Sequence, residues 1–115
     1  MFITPEKPHM YFDVDGTLVR PLLKGENFLE EDVVLIGGRL FKMNKSVIDD
    51  LRVCKARSHI VVVWSQGGSD WAASVIKALN LEKYVTVVMA KPSWYIDDRS
   101  PGEILDPTRW YDGKF

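Results

Sequence analysis

Cysteine is nearly absent from this chain. One residue, Cys54, among 115 excludes an intramolecular disulfide and a Cys-rich zinc site. Cys54 reads as a small core residue on a helix, because no histidine is placed to make it a nucleophile. Histidine is scarce too: His9 and His59 are the only two, and both read as structural. Neither sign of charge dominates. Fifteen Lys and Arg against sixteen Asp and Glu leave a net charge of −1, which gives no support for general polyanion binding, although a local basic groove stays open. No apolar run reaches the ~20 residues of a membrane span. The segment Met1–Pro8 carries two prolines, lacks the apolar core of a signal peptide and reads as an extended arm. The expectation is a cytoplasmic protein without membrane contact. No repeat, low-complexity stretch or linker divides the chain, so residues 1–115 read as one domain, large enough for a core but with little to spare.

What is present is concentrated at the ends of apolar runs. Met10-Tyr11-Phe12 leads into Asp13-Val14-Asp15-Gly16-Thr17. The run reads as a buried strand. Two carboxylates at i and i+2 share a side of that strand, and Gly16 lets the chain leave sharply. Paired acids in this position suit Mg²⁺ binding and attack on an electrophile. A second run, Ile60-Val61-Val62-Val63-Trp64, ends at Ser65 and is followed by Gln66-Gly67-Gly68. Glycines there let backbone N–H groups approach an anion near a helix start. A third run, Val85 to Ala90, ends at Lys91, and Trp94-Tyr95-Ile96 leads into Asp97-Asp98. Taken singly, each has an ordinary alternative: a solvated turn, a helix cap, a surface lysine.

Taken in order, the four segments resemble motifs I to IV of the haloacid dehalogenase (HAD) superfamily of phosphohydrolases, over about residues 9 to 99. The resemblance implies roles. Asp13 would be the nucleophile and Asp15 the acid and base, with Lys91 orienting Asp13 and offsetting phosphoryl charge. Ser65, Gln66, Gly67 and Lys91 would hold the substrate phosphate. Asp13, Asp15 (through its carbonyl), Asp97 and Asp98 would hold Mg²⁺, with Asp97 the direct ligand and Asp98 behind it. Dehalogenase chemistry fits less well, because Asp15 and the acidic pair suit phosphoryl transfer with a metal.

Periodicity supplies the elements. Val33–Ile36 and Arg39–Met43 flank Gly37-Gly38, a signature of a tight β-hairpin. The resemblance makes this hairpin, about residues 32–44, a flap over the site. Val47, Ile48, Leu51 and Cys54 form one helical stripe, and Ala72, Val75, Ile76 and Leu79 form another on a helix over 69–79. Strands are expected at His9–Val14, Ile60–Trp64, Val85–Met89 and Trp94–Asp97, and residues 100–115 form a tail that packs back. Alternating strands and helices predict an α/β fold with a parallel sheet and right-handed crossovers. The resemblance adds a three-layer, Rossmann-like architecture with strand order 3-2-1-4 and no large cap domain. Ligands of such sheets bind at the carboxyl ends of strands, where Asp13, Ser65, Lys91 and Asp97 all fall.

Substrate choice is less legible. A capless site suits a phosphate on a nucleotide, a nucleic-acid end or a protein, or one covered by a second subunit. Trp64, Trp71 and Trp94 are either core or base-stacking residues, a stacked base being worth ~1–3 kcal/mol. Arg20 and Arg39 are either solvated or substrate-facing. Two alternatives to a phosphatase stand: a non-catalytic module that binds a phosphorylated partner, and a phosphotransferase using the same residues.

Overall fold

The computed structural model describes residues 7–115, so most of the expected extended arm lies outside the described residues. The described residues form six strands in two sheets. The first comprises β1 (His9–Asp13), β5 (Ile60–Ser65) and β6 (Val87–Ala90), all parallel, in the order β1-β5-β6. The second comprises β2 (Val19–Pro21), β3 (Val33–Ile36) and β4 (Arg39–Met43), antiparallel in the order β2-β4-β3. Two helices, α1 (Lys45–Ala56) and α2 (Ser69–Ala78), follow, with one short turn of helix, α3 (Pro101–Ile104), in the tail.

β5 is central because its side chains can be buried on both sides. Val61, Val62 and Val63 are all buried, the near-continuous apolar run of a covered parallel strand. α1 buries Ile48 and Leu51, with Val47 and Cys54 partly covered behind them. Burial pushes the Cys54 thiol up, consistent with an inert core residue. α2 buries Ala72, Val75 and Ile76 and continues into buried Leu79. Both helical stripes therefore face the core as their spacing requires.

The hairpin forms as expected. Gly37 and Gly38 take φ of 59° and 80°, the left-handed pair that a two-residue hairpin turn of this hand needs. β2 adds a third strand beside β4, which the sequence reading lacked. It is only three residues long and ends in Pro21, so it carries little strand signal.

The expected fourth strand is absent, and with it the four-strand order 3-2-1-4. The three parallel strands match the 3-2-1 part, but β1 is an edge strand rather than a central one. Residues 94–98 make no ladder. Trp94 is 92% and Ile96 103% exposed. Local bonds compete with extension here: Asp97 Oδ1 accepts from the Arg99 N–H at 2.9 Å and the Tyr95 hydroxyl donates to the Arg99 carbonyl at 3.2 Å. A side chain that bonds the backbone two residues on closes a turn instead of a strand. The tail does return to the body. Asn44 Nδ2 donates to the Gly113 carbonyl at 3.1 Å, and the Arg20 guanidinium lies 5.4 Å from the Phe115 ring centre. Among the described residues, no helix is long and apolar enough to cross a membrane.

Candidate functional site

Val14 positions the two acids. It is fully buried, and its carbonyl accepts N–H groups of Thr17, Leu18 and Val19 at 2.9–3.2 Å. Leu18 and Val19 are fully buried as well. The chain is thus pinned on its apolar side, and Asp13 and Asp15, on either side of Val14, project the other way.

The two carboxylates have separate sets of partners. Lys91 Nζ lies 3.0 Å from Asp13 Oδ1, and Thr17 Oγ1 donates to Asp13 Oδ2 at 3.1 Å. Ser65 Oγ donates to Asp15 Oδ2 at 3.0 Å, and Trp71 Nε1 donates to Asp15 Oδ1 at 3.0 Å. Each of the four oxygens has its own donor, and only Asp13 has a cationic one. The Asp13 and Lys91 side chains are 32% and 27% exposed, so the pair is open to a ligand from solvent.

Backbone geometry explains why these residues meet. β1 and β5 are in parallel register, with Asp13 opposite Trp64, and β5 and β6 pair Ser65 with Ala90. Asp13, Ser65 and Lys91 therefore end neighbouring strands at one edge of the sheet. The Lys91 N–H bonds the Ser65 carbonyl at 2.9 Å, which carries the ladder to its last residue. The Lys91 ammonium also lies 5.6 Å from the Trp64 ring centre, within reach of a cation–π attraction.

Ser65 joins the second acid to the loop that follows β5. It is fully buried; its hydroxyl donates to Asp15 and accepts from the Gly67 N–H at 2.9 Å. Gln66 and Gly67 are exposed beside it. Asp97 and Asp98 are exposed on the segment beyond the sheet, outside the partner sets of Asp13 and Asp15. Among the described residues, no three His, Cys, Asp or Glu side chains are gathered closely enough to hold a metal ion. Asp97 lies on the irregular stretch that stands where the fourth strand is expected, and its Oδ1 accepts from the Arg99 N–H. The donor chemistry itself, carboxylate and carbonyl oxygen, is the kind Mg²⁺ takes.

Two residues at the site were not among the expected ones. Thr17 closes the first motif, and its hydroxyl holds Asp13. Trp71, which the sequence leaves as either core or base-stacking, holds Asp15 through its indole N–H. Its signal was position in the first turn of the helix that follows Ser65. Arg20 turns inward to Glu26, with Nη1–Oε1 at 2.9 Å and Nη2–Oε2 at 2.6 Å. Arg39 lies 5.8 Å from the Phe41 ring centre. Two surface hollows, beside α1 and beside Asn27–Leu29, are lined by none of the site residues. The first sets Asp49 beside Lys45 and Arg52 and the second sets Asp32 beside Lys42, one acid in each, whereas the strand ends bring two acids and a lysine together. Comparison with protein-family models, with curated proteins and with solved structures finds no match for this chain.

Proposed function

We propose that this protein is a phosphomonoester hydrolase of the HAD type, working through an aspartyl-phosphate. The observation that carries the reading is the division of partners between two neighbouring carboxylates: Asp13 faces an ammonium, and Asp15 faces only neutral donors. A nucleophile that must approach a phosphate dianion needs positive charge beside it. An acid that gives and retakes a proton needs orientation instead. The four-strand, three-layer architecture belongs to the same proposal, with Trp94–Asp98 as its missing edge.

In the first step an Asp13 oxygen attacks phosphorus, the bond from phosphorus to the ester oxygen breaks, and Asp15 gives its proton to that oxygen. The alcohol leaves. In the second step Asp15 takes a proton from water as the water oxygen attacks phosphorus. The bond from phosphorus to Asp13 breaks, phosphate leaves, and both acids return to their starting states. Lys91 offsets phosphoryl charge throughout. Mg²⁺ is part of the proposal, held by Asp13, the Asp15 carbonyl, Asp97 and Asp98; it would supply further charge neutralisation. Mg²⁺ would be required for the rate, while each bond and proton transfer above is carried out by the protein's own residues.

The open site, in which the Asp13 and Lys91 side chains are about a third exposed, favours a phosphate on a bulky substrate such as a nucleic-acid end or a protein. Hydrolysis of an aryl phosphate with and without Mg²⁺ tests the proposal. Phosphate release should require Mg²⁺ and fall by at least about 10³-fold in Asp13→Asn, which keeps size and loses the nucleophile. Equal rates for Asp13→Asn and the wild type would refute it. A protein that binds a phosphorylated partner without turning it over would support the binding module instead.

A further inference from the structure

Trp71 is fixed from three directions. It lies in the first turn of α2, and its ring packs on Phe41 of β4, with centroids 5.4 Å apart and planes tilted by 49°. The loop after β5 presses against it so closely that a Cβ on Gly67 would stand 2.9 Å from Trp71 Cδ1 and 3.3 Å from Ser65 Oγ. The indole N–H points from this seat to Asp15 Oδ1 at 3.0 Å.

We infer that Trp71 is a positioning residue for Asp15: it holds the carboxyl group in the orientation from which its proton reaches the leaving oxygen. The inference rests on the phosphatase reading above. The chemistry of the donors gives Trp71 a part that Ser65 cannot play. A hydroxyl donates or accepts, so Ser65 can follow either state of Asp15. An indole N–H only donates, so it keeps Oδ1 as the acceptor whether or not Asp15 carries a proton. Through Phe41 the same ring ties the antiparallel sheet to the acid, so Asp15 is oriented by the loop, α2 and β4 together.

The leaving group reads this role. An alkoxide is a poor leaving group and depends on proton donation, whereas a nitrophenolate leaves with little help. Trp71→Phe keeps a ring against Phe41 and removes the N–H. Its loss in kcat/KM, which reports the step that expels the leaving group and not the later attack of water, should be about tenfold greater on an alkyl phosphate than on nitrophenyl phosphate, and should not come from KM alone. Equal losses on the two substrates, or a loss confined to KM, would mean a structural role and overturn the inference. A second measurement needs neither turnover nor a folded Trp71 variant. In ¹⁵N-labelled wild-type protein the Trp71 Nε1–H should exchange with solvent at least about tenfold more slowly than that of Trp94 or Trp110, which are 92% and 70% exposed. Asp15→Ala should abolish the difference. Exchange as fast as in Trp94 removes the link itself. No turnover by the wild type on either substrate instead refutes the phosphatase reading, and the catalytic role of Trp71 falls with it.

Discussion

Most charged side chains here are solvated, and the exceptions carry the informative chemistry. Glu26 accepts both guanidinium nitrogens of Arg20 and the Leu23 N–H at 3.0 Å. The Arg20 hydrogen bonds, helped by Leu23, lower its pKa from 4.5 to about 2. The folded form therefore holds its proton less readily than the unfolded chain. Glu26 contributes stability above about pH 4.5, and that contribution disappears as pH falls toward 2. Glu26→Gln should flatten the dependence of the thermal midpoint on pH in this window while leaving the form of the curve above pH 5 similar. Parallel curves for variant and wild type across the acid range would show that the Arg20 pair makes no difference to folding. Arg20 itself is raised by the same contact. It is committed to the loop and to Phe115, which is why a free arginine could not be told from a structural one by position in the sequence.

Helix ends show how local chemistry sets an element. α1 and α2 both finish in the same way. His59 N–H bonds the Cys54 carbonyl and Ser58 N–H bonds that of Lys55; Leu81 N–H bonds Ile76 and Asn80 N–H bonds Lys77, all at 2.9–3.1 Å. These are paired Schellman bonds, and each needs a left-handed residue after the helix. Asn80, at φ 55°, tolerates that region, but Ser58, at φ 63°, does so at a cost. Ser58→Gly should stabilise the protein by about 0.5–1 kcal/mol, the relief of backbone strain exceeding the added entropy of the unfolded chain. Asn80→Gly should gain less. Urea midpoints of the two variants check both, and a destabilised Ser58→Gly would mean that its side chain contributes more than its φ costs. Stripes at helical spacing, short apolar runs and the Gly-Gly turn made α1, α2, β1, β3, β4, β5 and β6 legible in the sequence. Boundaries shifted by a residue or two, as at β6, because Thr86 makes its ladder contacts just ahead of the strand proper, its N–H and Oγ1 bonding the Val61 carbonyl and N–H. The strand expected at Trp94–Asp97 failed for a different reason: its apolar residues were read, but the Asp97 bond to Arg99 was not visible as a competitor.

At the scale of the whole molecule, the candidate site divides along the same line. Asp13, Asp15 and Lys91 were legible because each ends an apolar run, and parallel strands bring such ends together. The parts played by Ser65, Thr17 and Trp71 were not, because they depend on side-chain direction across three elements. The acids at 97 and 98 lie beyond the packed body, on a stretch from 92 to 112 in which every residue is exposed. That stretch lacks the buried contacts that resist local opening. Trypsin should therefore cut first at Arg99 and Arg109, ahead of Lys55, Lys77 and Lys83 on the body. First cleavage on α1 or α2 would mean that the stretch is covered, either on the open edge of β1 or by another chain. The same cleavage tests the proposed metal. If Mg²⁺ draws Asp97 and Asp98 to Asp13, it binds only the closed arrangement, and at ten times its dissociation constant it should slow cutting at Arg99 about tenfold. Cutting at Arg109, beyond the acids, should respond less. An Arg99 rate independent of Mg²⁺ would leave the acidic pair outside the site. Asp13→Asn should weaken the effect in the wild-type background, because closure needs a ligand on the strand as well as on the tail.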